Sequence, residues 1–375
     1  MRLVDQSTTN TLPKLLRRNA KQWANDPGIR EKNRGIWETS SWQDYDAQVR
    51  DFALGLAAMG FKRGGKLSVV GDNRPRLYCA MLGAMALGGM AVPVYQDSIA
   101  SELVYVLEHA EVSVIVAEDQ EQVDKILSLR DQLPHLSLVV YDDPRGLSTN
   151  PDPLLKSFAD IQAMGRDFAK GHPDFYAREV EAGRAEEIAL IAYTSGTTGR
   201  PKGVLLSHWG MVATAESFLK GEEVRKGDNW LAYLPMAWVG DTMWTLGAAL
   251  AAGVIINCPE SPETVIRDLR ELGPDGIIAP PAIWENLMRG LQIRSADATP
   301  MKRRTFEHFK NYAVARELAR TDGKNSRSGL RHKLGEFLVY GPVRDQLGFR
   351  RARWCCCMSD VSMCRSSSSP APSTR

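Results

Sequence analysis

Residues 193–204 read Y-T-S-G-T-T-G-R-P-K-G-V and follow directly on Ile188 to Tyr193, an apolar run with the length and composition of a buried strand. Gly196 and Gly199 permit backbone angles that turn several N–H groups to one side. The hydroxyls of Thr194, Ser195, Thr197 and Thr198 add donors, and Lys202 adds a positive charge. A loop of this composition is suited to holding phosphate. It is not a Walker A loop, because Lys202 stands between Pro201 and Gly203 and not in a Gly-Lys-Ser/Thr run. In a shorter match, an ordinary Ser/Thr/Gly-rich turn would be the simpler reading.

On both sides of this loop, short β-rich runs alternate with helical patterns. Strands are predicted at Lys66 to Val70, Met90 to Val94, Val112 to Ala117 and Leu136 to Tyr141, each separated from the next by a helix-length segment. After the polar stretch Asp142 to Glu187, further strands are predicted at Ile188 to Tyr193, Trp230 to Leu234, Val254 to Asn257 and Gly276 to Ala279. Ser41-Trp42-Gln43-Asp44 has capping-box spacing, and Tyr45, Val49, Phe52, Leu56 and Met59 then recur at helical spacing until Gly60. The pattern predicts an α/β fold of two βα-rich subdomains with mostly parallel sheets facing one another across the polar stretch.

The 375 residues leave room for two or three domains and a sizeable core. Lys and Arg number 47 against 45 Asp and Glu, a net +2 that gives no global field of the kind a polyanionic partner needs. No aromatic platform or groove-reading motif accompanies the local basic runs, so no nucleic acid is expected. Residues 1–10 are polar and contain no secretory-type apolar run, and Cys79 and Cys258 are the only cysteines before Cys355, which fits a reducing, cytoplasmic compartment.

With its neighbours, the loop resembles the Ser/Thr/Gly-rich ATP signature of the acyl-adenylate-forming superfamily, which includes acyl-CoA synthetases, luciferases and peptide-synthetase adenylation domains. Tyr193 to Val204 matches at nearly every position, and Ser207-His208 match the Ser/Thr-His pair that commonly follows. Thr11 to Ala20, the G-D-N-R-P run Gly71 to Pro75, and L-A-Y-L-P-M-A-W-V-G-D, Leu231 to Asp241, agree in order and spacing. The last of these, with Ala279 to Glu285 and Val339 to Gly348, is similar to the long-chain acyl-CoA synthetase branch, Trp238 standing where many relatives carry His. The resemblance runs from about Leu3 to Arg353.

The resemblance implies a fatty acid, ATP, Mg2+ and CoA as reactants and cofactors. A carboxylate attacks the ATP α-phosphate to give acyl-AMP and pyrophosphate, and CoA then displaces AMP. It implies that Thr194, Ser195, Gly196, Thr197, Thr198, Gly199 and Lys202 hold the β- and γ-phosphates, with Lys202 in a supporting catalytic role. Trp238, Gly240 and Asp241 would line the carboxylate and acyl pocket; without the surrounding motif Trp238 would read as an ordinary core aromatic. No counterpart is found of the family's aromatic-Gly-x-Thr-Glu motif with its magnesium-binding Glu, of the ribose-binding Asp, or of the C-terminal lid with its activating Lys. The implied architecture is therefore an incomplete large domain over 1–353 without the lid, in a chain that is a ligase by descent and inactive alone. The alternative is a non-enzymatic fragment or weak ATP-binding module.

Two regions stand apart. Residues 354–375 hold four of the six cysteines and, from Cys355 on, seven serines without periodicity, which predicts a disordered tail of the kind a shifted reading frame produces. No metal site is assigned to it, because three adjacent cysteines cannot converge on one ion and no C-x-x-C spacing occurs. Residues 301–334 carry ten Lys or Arg against Glu307, Glu317 and Asp322, with Phe306, Phe309, Ala313 and Leu318 as a partial apolar stripe. That segment reads either as a solvated helical excursion or as a peripheral contact with an anionic membrane.

Overall fold

The computed structural model describes residues 9–147, 152–194, 200–321 and 329–357. Ser195 to Gly199 of the phosphate loop and most of the tail lie outside the described residues. The chain divides into two compact units, 1–265 and 266–375.

The first unit contains two sheets. Its strands are β1 (Pro27–Asn33), β2 (Ile36–Ser41), β3 (Lys66–Val70), β4 (Met90–Val94), β5 (Val114–Ala117), β6 (Leu138–Tyr141), β7 (Leu155–Ser157), β8 (Ile188–Thr194), β9 (Lys202–Ser207), β10 (Asn229–Leu231) and β11 (Ile255–Cys258). Its principal helices are α1 (Leu12–Gln22), α2 (Trp42–Ala58), α3 (Pro75–Ala86), α4 (Ala100–His109), α5 (Gln120–Leu129), α6 (Phe158–Gly171), α7 (Phe175–Ala182) and α8 (His208–Gly221). A seven-stranded sheet has the order β7-β6-β5-β3-β4-β8-β9 and is parallel throughout except for the β8–β9 pair. A four-stranded sheet has the order β10-β11-β1-β2, with only β1–β2 antiparallel. The parallel strands are buried on both faces, which is why they read as unbroken apolar runs. Pro93 has no N–H to donate, and the ladder between β4 and β8 is reduced to the single pair Ala91↔Leu190.

The expected α/β class with mostly parallel sheets is observed, but the polar stretch 142–187 does not separate the sheets. Strands from both sides of it share the seven-stranded sheet, and β1 and β2 join β10 and β11 in the other. The stretch itself folds into β7, α6 and α7. Helix α6 starts at a second capping box: the Asp160 N–H donates to Ser157 Oγ at 3.0 Å, and the Ser157 N–H to Asp160 Oδ2 at 3.3 Å. The box foreseen at α2 has the same form, with Asp44 N to Ser41 Oγ and Ser41 N to Asp44 Oδ2 both 3.1 Å. Helices α2 and α6 pack at very close range, with Phe52 stacked on Phe158 at 4.4 Å. A Cβ at Gly165 would lie 1.8 Å from the Asp51 carbonyl oxygen, and one at Gly55 2.0 Å from that of Ile161.

The second unit pairs β12 (Gly276–Ala279) in parallel with β13 (Trp354–Cys357). Its helices are Val265–Leu272, Pro281–Ala296, Pro300–Thr321 and Leu330–Gly335, the last continuing through a π-helical turn, Glu336–Tyr340, into Gly341–Leu347. Strand β13 corrects the expectation of an irregular tail from residue 354. Trp354 is buried with its indole against Gly276, Cys356 is buried, and the Arg353 N–H donates to the Asp275 carbonyl at 2.8 Å. Pairing with β12 satisfies the backbone of a segment whose composition alone offers no periodic register. Residues 358–375 lie outside the described residues.

Candidate functional site

Strand β8 leaves the core at Tyr193, half-buried, and ends at Thr194, exposed. It pairs with β9 so that Thr194 faces Lys202, also exposed, and residues 195–201 connect the two. Neither Thr194 nor Lys202 uses its side chain on another described residue, which leaves a hydroxyl and an ammonium at the loop's two stems. Both stems rest on α4. Tyr193 Oη lies 2.7 Å from His109 Nδ1, and the Arg200 guanidinium sits over the Tyr105 ring at 5.3 Å. The Ser-His pair that follows has structural work: Ser207 Oγ accepts from the Gly210 N–H at 3.1 Å as the cap of α8, and His208 is buried. The Leu12 N–H donates to His208 Nδ1 at 3.3 Å, and burial pushes this imidazole down to about 3, so it is neutral.

The Gly71–Pro75 and Leu231–Asp241 runs meet in one buried network. Asn73 Nδ2 donates to the Leu234 carbonyl at 3.0 Å and to Asp241 Oδ1 at 3.1 Å, and Tyr78 Oη donates to Asp241 Oδ2 at 2.7 Å. Asp241 is 1% exposed, and burial raises its carboxyl to about 7 in spite of the donors from Tyr78, Thr245 and Asn73. The Asp241 carboxyl is turned toward Asn73 and Tyr78 and ties the two runs together. Trp238 is half-buried, with its indole against buried Gly240. No hydrogen bond or ion pair joins this group to Thr194 or Lys202 among the described residues.

Arg74 extends the knot. Its Nε donates to Glu118 Oε1 at 2.7 Å, and its two terminal nitrogens donate to the carbonyls of Pro259 at 2.8 Å and Glu260 at 3.0 Å. Glu118 Oε2 accepts from the Asp72 N–H at 2.6 Å. The carboxyl ends of β3, β5 and β11 are thus clamped by one guanidinium, beside a charged cavity of about 680 Å3 that Glu31, Arg76, Asp142 and Arg145 help to line. Burial raises Glu31 there to about 7, although Arg74 opposes the shift. Sequence reasoning missed this cavity, and the signal for it was a charged residue directly after each of β5, β6 and β11 or two residues on.

The sequence pattern described as AMP-binding enzyme matches residues 16–358. The chain belongs to the AMP-binding enzyme family. The match includes β13 and ends five residues past the end foreseen for the domain. The human long-chain-fatty-acid–CoA ligase ACSBG2 is 27% identical over 348 residues, covering 91% of this chain and 51% of that protein. The rat long-chain-fatty-acid–CoA ligase ACSBG1 is 25% identical over 333 residues, covering 86% and 45%. The chain spans about half the length of the relatives it matches. Among solved structures, acetoacetyl-CoA synthetase from Streptomyces lividans superposes with a TM-score of 0.64 at 19% identity, over 75% of this chain and 44% of that one. A Mycobacterium tuberculosis fatty acyl CoA synthetase gives 0.59 at 22%, over 75% and 51%. These likenesses show the AMP-binding fold.

Proposed function

We propose that the chain carries the triphosphate-holding face of an AMP-forming ligase for long-chain fatty acids. The observation that supports this most directly is the Thr194–Lys202 stem pair, exposed and with neither side chain bonded to another described residue. In the reaction a carboxylate oxygen bonds to the ATP α-phosphorus as pyrophosphate leaves, and a thiol then displaces AMP. Such a transfer needs alignment of the nucleophile and compensation of phosphate charge more than covalent help. Lys202 and the hydroxyls and N–H groups of 194–199 would hold the β- and γ-phosphates, while Trp238 would form an apolar wall for the acid. Magnesium, when bound, would neutralise charge between the phosphates. No group of three or more His, Cys, Asp or Glu able to hold a metal occurs among the described residues, and none is assigned to it. No residue is assigned to CoA.

Because no counterparts of the magnesium Glu, ribose Asp or activating Lys are found in these 375 residues, the chain alone is expected to bind MgATP weakly and not to complete adenylation. The test is MgATP titration of the purified chain by calorimetry. Lys202→Ala should weaken binding by roughly tenfold or more, the worth of a charge-assisted phosphate contact. Unchanged affinity in this variant would remove the loop from the site. The acid would be met at a membrane, and the basic segment 301–334 is where contact is expected. No helix among the described residues is long and apolar enough to cross one.

A further inference from the structure

The charged cavity beside Arg74 has no part in holding ATP or the acid. It lies at the carboxyl ends of β3 and β5, where the strand order reverses: the chain passes from β3 to β4 on one side and returns to β5 on the other. In open parallel sheets the crevice at such a reversal is where ligands bind. Its volume of about 680 Å3 is that of a small-molecule site. The β1–β2 hairpin forms one wall and contributes Glu31 and Glu38.

Six carboxyl-bearing and five basic side chains line the cavity. Three pairs among them are closed: Arg74 with Glu118 at 2.7 Å, Arg76 with Asp142 at 2.8 Å and Arg145 with Asp143 at 2.6 Å. Lys32 and Arg34 of the hairpin and Glu260 after β11 complete the charged lining, with Lys32 over the Trp37 ring at 5.6 Å. Glu31 is poorly matched. Arg74 Nε lies 3.8 Å from it, beyond hydrogen-bond range, and already donates to Glu118. Glu31 also stands directly opposite Glu38 in the antiparallel pair, so the two share a face of the sheet, an arrangement of like charges that is unfavourable. Glu38 accepts only an amide N–H from Asn33, at 3.3 Å. Burial, with Asp142 and Glu38 adding and Arg74 and Arg76 opposing, raises Glu31 to about 7.

We propose that this cavity binds a small organic cation, an ammonium group on a hydroxylated body, with the ammonium between Glu31 and Glu38. One positive charge there matches the unpaired carboxylate and separates the two opposed glutamates. A divalent metal needs six or more oxygen ligands, and no group of three or more His, Cys, Asp or Glu able to hold one occurs among the described residues. The uncharged lining selects the body. Asn33, Ser40 and Gln48 offer amides and a hydroxyl, which a bare alkyl chain would leave without partners. Occupancy needs neither ATP nor a fatty acid, so it stands or falls separately from the ligase reading.

The test is calorimetric titration of the purified chain, in amine-free buffer, with glucamine and with sorbitol, which carries a hydroxyl in place of the ammonium. Glucamine should bind at least about tenfold more tightly. It stays charged between pH 6 and 8, whereas Glu31 passes from mostly protonated to mostly ionised, so affinity should rise roughly tenfold over that range. Binding at pH 7 should release protons, read as a heat that depends on the buffer's ionisation enthalpy. Glu31→Gln keeps the shape of the neutral side chain and should abolish both the preference for glucamine and its pH dependence. Glu38→Gln should weaken glucamine and leave the pH dependence in place. Absent binding of glucamine, equal binding of sorbitol, calcium bound more tightly than glucamine, or undiminished affinity in Glu31→Gln would each overturn the proposal.

Discussion

Replacing Gly165 by alanine is expected to cost the first unit about 3 kcal/mol and to lower its thermal midpoint by roughly 6–12 °C. The added methyl would meet the Asp51 carbonyl oxygen at 1.8 Å and the Gly55 nitrogen at 2.7 Å, both backbone atoms of α2 that cannot rotate aside. Relief requires α2 and α6 to separate, which parts Phe52 from Phe158, both fully buried. Overpacking is tolerated where a flexible side chain can move, and here none is available. Calorimetry on the wild type and the variant measures the effect, with Gly171→Ala as control because nothing lies within 4 Å of a Cβ there. A shift at Gly165 no larger than the control's would mean that the helices are not in this contact.

The second large effect is a dependence of stability on pH. Asp241 keeps its proton up to about pH 7 in the folded protein, whereas an unburied aspartate ionises near 3.8. Between these values the folded state holds a proton that the unfolded state has released. The stabilisation is complete below pH 3.8 and is lost as pH rises through 7, by roughly 4 kcal/mol from this group. Glu31, raised to about 7 in the charged cavity, adds in the same direction. Asp241→Asn retains a neutral group among Tyr78, Asn73 and Thr245. Denaturant titrations between pH 5 and 8 should show wild-type stability falling and the variant's falling distinctly less. Parallel profiles would show that Asp241 is ionised in the folded protein.

How legible a segment was in the sequence depended on whether its decisive contacts were local. Strands β3, β4 and β12 were bounded to the residue, because a strand buried on both faces is a short apolar run closed by turns. The α2 cap was legible for the same reason, its two hydrogen bonds spanning three residues. The β1–β2 hairpin was missed because its charged residues hide the alternation. Its turn is marked by Arg34 and Gly35, at φ of 49° and 79°, the left-handed pair of a tight two-residue connection. Helix α6 was missed although Ser157-Phe158-Ala159-Asp160 repeats the cap pattern of α2. At the candidate site, the strand that ends at the loop followed from the apolar run Ile188 to Tyr193. The inward turn of Asp241 did not, since its partners Asn73 and Tyr78 lie more than 160 residues away. The pocket-wall role of Trp238, Gly240 and Asp241 was implied by the family resemblance, which carries no account of where each of these side chains in a helical turn points.

The most direct test of the functional account is carboxylate-dependent release of pyrophosphate from ATP by the purified 375-residue chain, with short-, medium- and long-chain acids and magnesium present. The account predicts release no greater than the Lys202→Ala background for every acid, because groups that act together on the transferring phosphate are not replaced by the loop alone. Turnover that any acid elicits and Lys202→Ala abolishes would contradict it, and would place a sufficient adenylation site within these residues.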